Sequence, residues 1–182
     1  MSQLTALSLS IGVLGGIATW LFLLIGGLLI WAAFLGWACF FHEGGDGAAL
    51  RKTIVGNVFG AFVAWIAALI LSLPLGEALP LPVWAGIVVG ITVFGLCLAA
   101  KIQAFSSIPA SVYGYAAAFA FLLLTPGSLD RGALLSGGMD NALIAVAISM
   151  AIGALFGTAS GKLGAALTKA PAPTVEQPSA EI

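Results

Sequence analysis

Side chains able to do chemistry are few in this chain and gather in three places. The first is Phe40-Phe41-His42-Glu43-Gly44-Gly45-Asp46, where the one histidine stands beside two carboxylates. Histidine titrates near physiological pH, so His42 with Glu43 could line a pore mouth or act as a proton-sensitive gate. The same string also reads as an interfacial loop, with the aromatic pair anchoring the bilayer edge and Glu43, Asp46, Arg51 and Lys52 forming a solvated turn. The second place is Asn57, a lone amide inside an apolar run. A buried amide in a membrane helix must find partners or line water, so Asn57 is read as a pore-facing group or as an interhelical hydrogen-bond former. The third is Ser106, Ser107, Ser111, Tyr113 and Tyr115, gathered around Pro109. Carbonyls and hydroxyls beside a broken helix can replace a solute's hydration; the serines can equally cap a helix N-terminus. The chemistry within reach of these groups is hydrogen bonding to a solute, not bond making.

What is missing points the same way. There is no HExxH, GxSxG, phosphate-binding loop or paired-carboxylate signature, so no catalytic residue and no enzymatic activity is expected. Cys39 and Cys97 lie inside apolar segments without CxxC or Cys/His spacing, which argues for small core residues and against a disulfide, a metal or another cofactor. A net charge of -1 leaves no basic stripe for nucleic acid.

The elements that must position these groups follow from composition. With 61% hydrophobic and 7% charged residues, the chain stands far from soluble proteins, in which about a quarter of residues are charged. It reads as an all-α membrane protein whose partner is the lipid bilayer. A spanning helix needs about 20 apolar residues, and six runs are found. They lie at about Leu7 to Ile25, Leu28 to Phe41, Thr53 to Leu73, Val83 to Ala100, Ile108 to Leu124 and Ala142 to Ser160. The first two are divided at Gly26-Gly27, since the uncharged stretch is too long for one helix and leaves no room for a real loop. The second and fifth are short or broken. Thr125 to Asn141 is the longest connection, and the prolines between Pro74 and Pro82 make another. Residues 1–169 form one transmembrane domain; 170–182, rich in proline, read as a disordered cytoplasmic tail. The N-terminus lacks a basic leader, so the first run reads as a retained helix.

With both ends cytoplasmic, Arg51, Lys52, Lys101, Lys162 and Lys169 collect inside and only Arg131 outside. Trp31, Trp65 and Trp84 fall near helix ends as interface anchors, whereas Trp20 and Trp37 lie deeper and could pack a constriction.

The six runs also resemble each other in threes. Gly12, Gly16 and Ile17 recur as Gly86, Gly90 and Ile91; Gly36-Trp37-Ala38 as Gly114-Tyr115-Ala116, with Phe41 over Phe119; and Gly60 lies over Gly153. Three helices per unit make the halves, about 7–73 and 83–164, an inverted 3+3 repeat. A site would then lie between the halves where the short helices meet, lined by Trp37, Phe41, His42, Asn57, Ser107, Ser111, Tyr113, Tyr115 and Phe119. The pairs Gly12/Gly16, Gly56/Gly60, Gly86/Gly90 and the series Gly153/Gly157/Gly161 have small-xxx-small spacing, which suits close helix packing within the chain or between subunits.

The segments WAAFLGWACFF, GNVFGAFVAW and FSSIPASVYGYAAAFAF are similar to those of a family of small bacterial inner-membrane proteins catalogued as domain of unknown function 1097. The similarity covers about Leu7 to Gly164. It implies a bacterial inner-membrane setting and supplies no catalytic residues. The expected function is a passive channel or facilitator for a small polar, neutral solute, working as a homo-oligomer. Two alternatives are a secondary transporter or exporter of a small metabolite and a non-transporting membrane scaffold.

Overall fold

A computed structural model describes residues 1–74 and 79–168. The expected disordered tail, Lys169 and part of the Pro74 to Pro82 connection lie outside the described residues. Among the described residues seven α-helices follow in order: α1 (Gln3–Ile25), α2 (Ile30–His42), α3 (Gly47–Leu71), α4 (Leu81–Leu98), α5 (Ile108–Leu124), α6 (Arg131–Leu134) and α7 (Ala142–Leu167). Between α4 and α5 lie two single 3₁₀ turns, Ala99–Lys101 and Gln103–Phe105. Helices α1, α3, α4 and α7 are each long and apolar enough to cross a bilayer, so the protein is a membrane protein.

Polar residues set the ends of these apolar helices. Ser2, Asp46, Ser107 and Asn141 cap α1, α3, α5 and α7 by accepting from backbone N–H groups of the first turn. Pro82 and Pro109 sit in the opening turns of α4 and α5, where a missing N–H costs nothing. Gly26 and Gly27 both take φ 71°, a left-handed conformation open to glycine, and divide α1 from α2 where the sequence predicts. The 13 residues of α2 extend only about 20 Å, short of the roughly 30 Å hydrocarbon core.

Several expected boundaries shift. Helix α3 begins at Gly47 and not at Thr53, because the Asp46 carboxylate caps it by accepting from the Ala49 N–H at 2.7 Å. Arg51 and Lys52 thus ride on the helix and do not belong to the turn before it. Helix α7 continues past Ser160 to Leu167, and the long connection after α5 contains the turn of helix α6.

Packing runs through small residues. Helix α3 lies chiefly along α5 and α7 chiefly along α2, while α1 leans on α7 and α4 on α3. A side-chain carbon at Gly60 would overlap the Ser111 carbonyl, and one at Gly114 the Asn57 carbonyl. The other pair of helices behaves alike: Gly153 sits against the Ala33 carbonyl and Gly36 against the Met150 carbonyl. Lipid tails are as apolar as leucine, so helices associate through such close van der Waals contact. The glycines of α1 and α4 do not share this role: Gly12, Gly16, Gly86 and Gly90 are exposed, with no atom near the space a side chain would take. Trp20 is 63% exposed and so does not line a constriction. Trp65 is partly buried and donates its indole N–H to the Leu134 carbonyl at 2.7 Å, tying α3 to α6.

Candidate functional site

The nine residues expected to line a path divide into three groups. The first ties α2 to α7. Trp37 is buried, with its ring stacked between Phe34 and Phe156. Its indole N–H donates to the Ser160 hydroxyl at 3.0 Å, which in turn donates to the Gly157 carbonyl at 2.8 Å. Phe41 packs edge-on against Phe40 and approaches Gly45 and Gly161. Nothing about these partners singles out a solute; they fasten two helices.

The second group lies on α5 and has its polar atoms satisfied there and by α4. The Ser111 hydroxyl is buried and donates to the Ser107 carbonyl at 3.1 Å. The Tyr115 hydroxyl is 2.8 Å from that of Thr92 on α4, and its ring stacks on Phe119 with centroids 4.9 Å apart. These residues hold α4 and α5 together.

The third group gathers at the shared end of α2, α3 and α5. His42, at the last turn of α2 and exposed, meets the Tyr113 ring edge-on at 6.0 Å. Next to it Glu43, the residue that ends α2, accepts a hydrogen bond from the Ser107 hydroxyl. The same hydroxyl accepts from the Ala110 N–H at 3.2 Å and so caps α5. The carboxylate is therefore held at a helix N-terminus, where the exposed N–H groups favour negative charge. Cys39, one turn before Glu43 on α2, is fully buried. One turn along α3 from Thr53 lies Asn57.

Ser10, Ser111, Ser128, Asn141, Ser149 and Ser160 are all buried, and each has a partner. Ser10 donates to the Ser160 carbonyl, Ser128 to the Leu122 carbonyl, Asn141 to the carbonyls of Leu134 and Ser136, and Ser149 accepts from the Leu29 N–H. Thr53 and Asn57, 0% and 1% exposed, have none: the Thr53 hydroxyl and both the oxygen and the nitrogen of the Asn57 amide lack a protein partner. Among the described residues the Trp84 indole N–H, near the start of α4, is the other buried side-chain group without one; it lines a cavity of about 420 Å³. Leaving one such group unpaired in the interior costs about 1–3 kcal/mol, so three atoms on adjacent turns of one helix form an unusual concentration. Sequence reading singles out Asn57 but not Thr53 or Cys39. The spacing of one helical turn between Thr53 and Asn57 was present in the sequence; that both lack a partner is visible only in the folded chain.

The fold and this locus define a polytopic, all-helical membrane protein with a polar spot enclosed among helices. A family model described as "Protein of unknown function (DUF1097)" matches residues 8–165. The chain belongs to that family. No curated protein and no solved structure matches it.

Proposed function

We propose that the protein is a facilitator that lets a small, neutral, polar solute cross the bacterial inner membrane, with Thr53 and Asn57 as its contact point. The observation that carries this reading is the unpartnered Asn57 amide. An amide offers two donors and an acceptor with two lone pairs, and the Thr53 hydroxyl adds a donor and an acceptor one turn away. A solute bearing both donors and acceptors, such as a urea-like amide, would satisfy both residues without bringing charge into the membrane. No acidic or basic side chain lies within a span away from its ends, which suits a neutral solute better than an ion. The chain needs no catalytic group or cofactor for this task.

In this reading α2 and α5 complete six segments, and the halves form an inverted 3+3 repeat within one domain. The contacts between helices support it. If Gly60 corresponds to Gly153, Gly114 to Gly36, Ser111 to Ala33 and Asn57 to Met150, the two glycine-to-carbonyl contacts of α3 with α5 have counterparts between α7 and α2. The polar amide has methionine as its counterpart, so the contact point belongs to one half only. Both termini are taken as cytoplasmic, which gathers the basic residues on that side. The outward-facing Gly12/Gly16 and Gly86/Gly90 pairs are the surfaces through which a homo-oligomer would form.

The test is stopped-flow or swelling measurement on liposomes holding the full chain, with a panel of small neutral solutes. Flux above that of empty liposomes is expected for at least one amide or polyol, and none for any solute would sink the reading. One observation favours a second reading, a transporter that cycles between conformations. The glycine contacts of α3 with α5 and of α2 with α7 bring backbone against backbone, so passage requires helices to part. Flux that saturates and responds to a pH or sodium gradient would select it.

A further inference from the structure

A charged cavity lies away from Asn57, along the N-terminal turns of α3. It has a volume of about 710 Å³ and is walled on one side by Gly47, Ala48, Arg51, Lys52 and Val55 of α3. Gln103, Ala104 and Ser106, from the 3₁₀ turn before α5 and the residue that ends it, form the other wall. The size falls within the range of about 300–1,000 Å³ usual for small-molecule sites. Its lining is rich in donors: a guanidinium, an ammonium, an amide and a hydroxyl. The first N–H groups of α3, on Gly47 and Ala48, have no acceptor within the helix. No carboxylate lines it among the described residues; Asp46 stands at the same helix end and is engaged in capping the Ala49 N–H. The 3₁₀ wall is fixed in place by Phe105, which stacks on Phe59 of α3 at 4.1 Å.

Below the cavity α3 changes character along one face. Arg51, Val55, Val58 and Phe62 follow at helical spacing, and Val58 and Phe62 are 38% and 42% exposed. A cationic, donor-rich pocket at the end of a membrane span, continued by an apolar stripe toward the bilayer centre, has the two-part chemistry of a phospholipid. We propose that this cavity binds the phosphate headgroup of an anionic phospholipid, with one acyl chain laid along Val58 and Phe62. Arg51 holds the phosphate oxygens through its planar fork of donors. Lys52 adds a point charge, and Gln103 and Ser106 take the remaining oxygens of the headgroup. Basic pockets between helices on the cytoplasmic side suit such headgroups. A soluble phosphate compound shares the headgroup chemistry but has no use for the apolar stripe.

The test is native mass spectrometry or microscale thermophoresis of the full chain in neutral detergent, titrated with phosphatidylglycerol, with phosphatidylcholine of the same chains, and with glycerol 3-phosphate. Phosphatidylglycerol is expected to bind at one site per chain and more tightly than the other two. The double variant Arg51→Gln, Lys52→Gln should weaken it roughly 30-fold, as two charges near the membrane surface contribute. Lys162→Gln, a charge at the end of α7, should leave binding unchanged. Ala104→Trp fills the cavity while keeping every charge and serves if the double variant does not fold; it should weaken binding as well. Phe62→Ser should weaken the lipid but not glycerol 3-phosphate. Equal binding of phosphatidylglycerol by the wild type and the Ala104→Trp variant would overturn the site. Binding of glycerol 3-phosphate as tightly as the lipid would overturn the lipid as occupant.

Discussion

Asn57 separates a solute-facing side chain from a structural one, because the two roles predict opposite changes in stability. An amide with no partner in the folded chain costs about 1–3 kcal/mol, so Asn57→Leu should keep or raise the melting temperature in detergent while lowering solute flux. A drop in melting temperature together with unchanged flux would make Asn57 a packing residue. Trp37 gives the contrasting case. Its indole N–H donates to Ser160 at 3.0 Å, a bond worth about 1 kcal/mol. Trp37→Phe should therefore lower stability by about that amount and leave the solute specificity of liposome flux as it was. Altered specificity in this variant would return Trp37 to the lining of the path. Thr53 and Asn57 are the same kind of residue as Ser111 or Asn141 in a sequence; only the count of partners distinguishes them.

Helix pairs are held by glycines of two kinds, which spacing alone does not tell apart. At Gly60 and Gly153 a methyl group would meet a carbonyl oxygen of the facing helix. Each alanine substitution should push α3 from α5, or α7 from α2, and cost about 2–3 kcal/mol, in the range of overpacked interiors. At Gly12 and Gly86 there is open space, so alanine there should leave the fold intact and, from its higher helix propensity, slightly favour it. Thermal unfolding of the four single variants checks both halves of this expectation. Equal losses at all four positions would mean that the exposed pairs are also buried, by a neighbouring subunit. The boundaries of α5 and the break at Gly26-Gly27 were legible because proline and paired glycine act locally on the backbone. The start of α3 was not, since the basic pair masks a continuous helix when hydropathy is the guide and Asp46 fixes the start through one hydrogen bond.

The assembled chain presents α1 and α4 to its surroundings far more than α3 and α7. Their exposed faces carry large side chains, among them Val13, Ile17 and Trp20 on α1 and Ile87, Ile91 and Phe94 on α4. Among these the glycine pairs leave shallow depressions where another helix could approach closely. Gly12→Leu combined with Gly86→Leu should thus shift the protein toward monomer, read by mass photometry or light scattering in detergent, while each substitution changes the stability of the monomer fold by no more than about 0.5 kcal/mol. An unaltered size distribution would place any subunit contact elsewhere.

Composition alone was enough to make this an all-helical membrane protein: so few charges and such long apolar runs have no other stable home, and backbone groups in lipid must be paired within helices. The six apolar runs were equally readable, because hydropathy and helix-ending residues act over short distances. Which polar groups lack a partner was decided only by tertiary structure, since a hydrogen bond between α2 and α7 joins residues far apart in the chain, as Trp37 and Ser160 show. The same holds for the glycines. Identical spacing on α1 and α3 became an exposed face in one and a backbone contact in the other, because the neighbour that fills the space is chosen by the packing of the other helices.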